Sequence, residues 1–91
     1  MVPIGTTHKR LAAVQRVTPA EKKLRKLLAM NVRALRESHQ WTLEEAAGRT
    51  DMHWRHWQKI EAGEVSVTLR TLARLIEAFG TDAGTLLRSP H

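Results

Sequence analysis

The stretch from Thr42 to Gly63, TLEEAAGRTDMHWRHWQKIEAG, decides how this chain folds. In Thr42-Leu43-Glu44-Glu45, the threonine hydroxyl can accept from the amide three residues on, and Glu45 can reach back to the threonine amide. A helix therefore opens at Thr42, with its acidic residues at the end the helix dipole favours. Leu43, Ala46 and Ala47 face inward, and the two alanines let another helix cross closely. Gly48 and Thr50 weaken this helix, which should end near Arg49 or Thr50. After a turn near Asp51, a second helix starts around His53 and runs to Glu61. Gly63 follows as a left-handed stop. The stretch predicts two helices meeting at a tight corner.

A helical wheel assigns the faces of the second helix. At about 100° per residue, Trp57 and Ile60 fall together and define the inner face. His53 and Glu61 flank it. Arg55 and Lys59 point nearly opposite, with Trp54 and Gln58 on one shoulder and His56 on the other. Arginine and lysine suit guanine O6 and N7, and glutamine suits adenine N6 and N7. The outward face is thus equipped to read bases. His53 and His56 have a possible metal-ligand spacing, but no third ligand is near. No metal or cofactor is expected. No nucleophile–base arrangement or glycine-rich phosphate loop is present, so catalysis is not expected.

Before the corner, Thr18-Pro19-Ala20-Glu21 is another strong helix start, with proline at the first helical position. Leu24, Leu28, Val32 and Leu35 then form one apolar stripe, widened by Leu27, and the helix should reach about Ser38. Lys22, Lys23, Arg25 and Lys26 lie in its first turns, where cations oppose the dipole. An external anion explains them; a solvated charged face is the simpler alternative. Residues 1–17 contain Pro3 and Gly5 and read as a flexible basic arm. A short helix from about His8 to Arg16 is possible there, because Leu11, Val14 and Val17 share a three-residue spacing.

After the corner, Glu64 to Val67 is a loop. Thr68 caps a fourth helix whose apolar stripe is Leu69, Leu72, Ile76 and Phe79, with Leu75 also inward and Gly80 as the stop. Asp82 caps a last short turn in which Ala83, Leu86 and Leu87 close the core. Residues 89–91 form a tail. No segment alternates with period two, so no sheet is expected.

The 91 residues suffice for one small domain, residues 18–88, without a separate effector domain. No cysteine is present, which excludes disulfides and cysteine-held zinc. No apolar run is long enough to span a membrane. Net charge is +6, and its placement is uneven. Residues 1–26 hold Lys9, Arg10, Arg16, Lys22, Lys23, Arg25 and Lys26 against Glu21 alone. Residues 27–91 hold eight residues of each sign and are neutral. A basic arm on a neutral domain suggests a polyanionic partner, most simply nucleic acid.

Together these features resemble the helix-turn-helix domains of phage Cro and lambda-type repressors, also called the xenobiotic-response-element type. The resemblance covers roughly Leu28 to Leu87. Val32-Arg33-Ala34-Leu35-Arg36 is similar to the family's first-helix motif, and Trp41 to Ala47 to its second helix. Ile60-Glu61-Ala62-Gly63 resembles the end of its recognition helix. Leu69 to Gly80 and Asp82 to Leu87 resemble its last two helices. The resemblance implies an all-α, five-helix domain that binds double-stranded DNA, usually as a homodimer. It implies an ion pair between Arg36 and Glu61, and groove-facing positions at Trp54, Arg55, Gln58 and Lys59.

This sequence also departs from the family pattern. Leu43 replaces a frequent phosphate-contacting glutamine, and Asp51 a turn glycine, though aspartate tolerates left-handed backbone. His53 stands where serine or threonine often caps the recognition helix. Val67 and Ile76 replace a frequent proline and alanine, and the Glu64–Ser66 loop lacks the usual basic residues.

The expected function is that of a small cytoplasmic, nucleoid-associated regulator of bacterial or phage type, most simply a repressor. Trp54, Arg55, Gln58 and Lys59 are the candidate base contacts. Thr42, Lys22, Lys23, Lys26, Lys9 and Arg10 are the candidate phosphate contacts, with backbone amides at the Thr42 helix start adding to them. The alternative is an antitoxin-like or adaptor module on the same fold, meeting a protein partner through Trp54 or the arm.

Overall fold

A computed structural model describes residues 16–90. These form five helices and no strand: α1 Pro19–Ser38, α2 Leu43–Arg49, α3 Trp54–Glu61, α4 Leu69–Phe79 and α5 Ala83–Leu87. Lys9, Arg10 and the rest of the expected arm before Arg16 lie outside the described residues, as does His91.

The helix starts follow from local side-chain chemistry. Thr18, Thr42, Thr68 and Asp82 each accept from the amide three residues on. At Thr42 the reciprocal bond from its own amide to Glu45 Oε1 is also made, at 3.1 Å. Each such cap stabilises its helix by about 1 kcal/mol. The α3 start differs, because His53 is its cap and Nδ1 accepts from the Arg55 amide at 3.1 Å. Gly80 ends α4 with φ of 62°, and Gly63 follows α3 with φ of 71°. Asp51 takes φ of 54° in the corner. Gln40 takes φ of 58° between α1 and α2, where the sequence carries no glycine to mark the turn.

The corner is tight because α2 stops on a buried residue. Thr50 is nearly inaccessible, and its hydroxyl reaches the carbonyls of Ala46 at 2.8 Å and Ala47 at 3.1 Å. The Met52 amide then donates to Ala47 O at 2.9 Å, folding the chain back into α3. Ala46 and Ala47 present only methyl groups to α3, so α2 and α3 pack closely.

Leu28, Val32, Ala46, Ala47, Trp57, Ile60, Leu75, Phe79 and Leu86 form one core drawn from all five helices. Trp41 packs against this core, stacked on Phe79 with centroids 5.3 Å apart, while Phe79 also meets Trp57 at 6.1 Å. Two expectations about the core are corrected. Leu24 is 47% exposed, because the groove it lines with Leu28, Val67, Leu72 and Leu87 is open to solvent. Leu69 is 84% exposed, because it is the first residue of α4 and its turn leads away from the core. Ala29 is buried instead, under the close approach of Gly63.

Two polar links hold α1 in place. Asn31 Nδ2 donates to the carbonyls of Leu86 at 2.8 Å and Arg88 at 2.9 Å, tying α1 to the end of α5. Near the start of α1, Arg25 donates to Ser66 Oγ at 2.9 Å and to Glu21 at 3.2 Å, while the Ser66 hydroxyl donates to Glu21. This ties α1 to the loop between α3 and α4.

Candidate nucleic-acid interface

Trp57 and Ile60, at 0% and 1% exposure, turn one face of α3 into the core. The opposite face is then fixed by helix geometry, and it carries Trp54, Arg55, Gln58 and Lys59, all exposed. With Ala62 and Glu64 they line a shallow groove of about 470 Å³. None of these four side chains makes a hydrogen bond or ion pair among the described residues. The Arg55 guanidinium lies 5.4 Å from the Trp54 ring centroid, within cation–π range. On its other flank Trp54 meets the His53 ring, at 5.8 Å and 27°. The cap, the indole and the guanidinium therefore form one connected cluster at the start of α3.

One carboxylate anchors the inner side. Glu61 accepts from Arg36 Nε at 2.5 Å, from Arg36 Nη2 at 3.1 Å and from the Trp57 indole N–H at 2.5 Å. Arg36 Nη1 donates to Trp41 O at 2.9 Å. This bidentate pair joins α1 to α3, and its fourth bond fixes the segment entering α2. Hydrogen bonding to Glu61 raises the Arg36 pKa above its ordinary value, opposed by burial and aided by the charges of Glu61 and Glu37. The resemblance indicated the pair itself. The indole bond adds a third donor, marked in the sequence only by the four-residue spacing of Trp57 and Glu61.

The candidate phosphate contacts are more dispersed. Thr42 is exposed at the start of α2, but the capping box already engages the Thr42 and Glu45 amides. The Leu43 and Glu44 amides are what this end can offer an anion, beside the carboxylates of Glu44 and Glu45. Lys22, Lys23 and Lys26 are all exposed on α1. Lys22 and Lys26 line a groove of about 410 Å³ that also includes Arg33, Glu61, Ala62 and Gly63. Lys23 is not part of its lining. Arg25, counted with the basic cluster in the sequence, is committed to Glu21 and Ser66. Among the described residues, no group of three or more His, Cys, Asp or Glu is arranged to hold a metal ion.

A helix ending on a buried threonine, a turn at Asp51 and a second helix with one face clamped and one face free make up a corner motif of known type. The family described as helix-turn-helix domain matches residues 27–89 of this chain. The chain belongs to this family of DNA-binding domains. The helix-turn-helix itself is α2 and α3, with α1, α4 and α5 as its support. The chain is also similar to the crystal structure of a hypothetical transcription factor, NHTF, from Neisseria. The two share 28% identity with a TM-score of 0.71, over 82% of this chain and 92% of that one. No curated protein matches the chain.

Proposed function

We propose that this helix-turn-helix domain is the reading unit of a small transcriptional regulator, with α3 lying in the major groove of double-stranded DNA. The observation that carries the reading is the division of α3. Its inner face is locked by Trp57, Ile60 and the Glu61–Arg36 pair, while Arg55, Gln58, Lys59 and Trp54 are held outward and unengaged. Arg55 and Lys59 are suited to guanine and Gln58 to adenine, and the apolar edge of Trp54 to a thymine methyl. Phosphate contact falls to Lys22 and Lys26 of α1, to Thr42 at the start of α2, and to Lys9 and Arg10 of the arm. A transcription factor as a structural neighbour supports the regulatory role. A homodimer on half-sites one DNA turn apart, about 34 Å, is the arrangement this geometry suits. Repression follows where such a site overlaps a promoter.

Selection of binding sites from random DNA with the purified protein tests the reading directly and reports half-site spacing at the same time. Arg55→Ala should weaken binding by about 1–3 kcal/mol and relax specificity at one base position. A uniform loss across all sequences would instead make Arg55 a phosphate ligand.

A second reading is favoured by Trp54, a 39% exposed indole on the outer face of α3. Aromatic side chains of this kind anchor protein partners, as an antitoxin or adaptor would require. Titrating tryptophan fluorescence with random DNA at two salt concentrations separates the two, since only DNA binding gives a salt-dependent change.

A further inference from the structure

We infer that Lys22, Lys26 and Arg33 form a single phosphate-binding row on α1, flanking the C-terminal end of α3, and that Lys23 has no part in it. The inference rests on the DNA-binding reading and specifies how that surface holds the backbone. Eleven residues separate Lys22 from Arg33, which is three helical turns plus about 20°. Lys26 falls about 40° from Lys22 on the same wheel, whereas Lys23 falls about 100° away. Three cations thus share one edge of α1 over roughly 16 Å.

The structure puts that edge against α3. The groove lined by Lys22, Lys26 and Arg33 has Ala29 and Met30 along α1, and Glu61, Ala62 and Gly63 on its far side. Ala62 also lines the groove containing Arg55, Gln58 and Lys59, so the two surfaces are continuous across one methyl group. A duplex seated on α3 therefore has the row beside it on the same continuous surface. The base between the walls is small because Gly63 approaches the Arg25 carbonyl and Ala29 closely. A Cβ there would lie 3.7 Å and 3.8 Å from them.

Charge favours a polyanion here. The carboxylate of Glu61 is neutralised by Arg36 and turned toward Trp57, so it does not oppose the three cations. Arg33 meets Glu37 at 3.6 Å in a solvent-exposed pair. Such pairs contribute little and yield readily to a phosphate. Lys22 and Lys26 have no acidic partner among the described residues. The open groove and the extended row suit successive backbone phosphates rather than one small anion. This row also compensates for the Glu64–Ser66 loop, which lies beyond α3 and carries no basic residue.

The test uses the full chain and random-sequence duplex DNA, with affinity measured between 50 and 200 mM salt. Each lost phosphate contact should reduce the slope of log affinity against log salt by about 0.9. Lys22→Gln, Lys26→Gln and Arg33→Gln should each lower it by that amount. The triple variant should lower it by about 2.7, a roughly 40-fold smaller gain in affinity over that salt range. Lys23→Gln removes the same charge from the same helix and should leave the slope unchanged. All four side chains are exposed, and thermal melts of the variants verify that the fold is retained. Equal losses for Lys23→Gln and Lys26→Gln would overturn the row in favour of diffuse attraction. An unchanged slope for Arg33→Gln would also overturn it. Absence of salt-dependent binding by the unaltered protein would remove the DNA-binding reading itself, and the row with it.

Discussion

Trp57 and Trp54 are three residues apart on one short helix, yet their surroundings have little in common. Trp57 is enclosed, touches Phe79 and donates its indole N–H to Glu61. Trp54 lies at the surface against Arg55 and His53. The same contrast runs along the whole of α3. Trp57 and Glu61 are each held by more than one neighbour, whereas Trp54 and Arg55 meet only each other and His53, and Gln58 and Lys59 make no hydrogen bond or ion pair. α3 thus separates two jobs: its inner residues set the angle at which it is presented, and its outer residues are left free for the recognition proposed for them.

Trp57→Ala is the severest way to break this separation. It leaves a large cavity and removes one donor from Glu61, and should cost about 3–5 kcal/mol of stability. Chemical denaturation measures this, and binding should be lost with the fold. Gln58→Ala, one residue away on the outer face, should stay within about 0.5 kcal/mol in the same assay. A comparable loss for both would show that the two faces are not independent.

Glu61→Gln sharpens the contrast with a smaller change. The amide keeps the shape but leaves Arg36 half-buried without its counter-charge, at a cost of about 2 kcal/mol. Because the outer side chains are untouched, preference between DNA sequences should fall at several base positions together. Arg55→Ala should affect one position alone. Binding-site selection with each variant distinguishes the two patterns.

The smallest expected effect lies away from both faces, at Asp82. Hydrogen bonding from Thr85, first from its amide and then from its hydroxyl, holds this carboxyl below the usual range. Its folded-state pKa is therefore depressed. The stability it contributes is complete above the unfolded value and disappears as pH falls through the folded one. Protection of the Thr85 amide from exchange, relative to its intrinsic rate at each pH, should fall in that acidic window, while protection at Trp57 and Ile60 should not. Equal loss of protection at all three would mean that α5 and α3 open as one unit.

The five helices are legible in the sequence because four of their starts use threonine or aspartate as caps and glycine marks the left-handed stops after α3 and α4. The inner face of α3 was equally plain, since Trp57 and Ile60 leave the wheel no alternative. Leu24 and Leu69 both keep the helical period, which marks a face of a helix but not how completely its neighbours cover it. His53 was seen as a flank and a departure rather than as the cap, because an imidazole acceptor has no strong positional signature. Thr50 looked only like a weak helix residue. Its buried hydroxyl acts through bonds to Ala46 and Ala47 that no spacing rule reveals. The basic cluster is visible as composition, but only the fold commits Arg25 to Ser66 and sets the Lys22–Lys26 edge against the end of α3.

The Glu61 junction has a consequence for how such a domain can change over time. Because Trp54, Arg55, Gln58 and Lys59 share no bond with it, they can be exchanged as a set while the junction stays intact. If they read DNA as proposed, new target sequences can be acquired by substitution on a stable frame, and the same set can be rewritten deliberately to build a reader for a chosen site. Change at Glu61 has no such freedom, since one carboxylate serves two helices and the approach to a third.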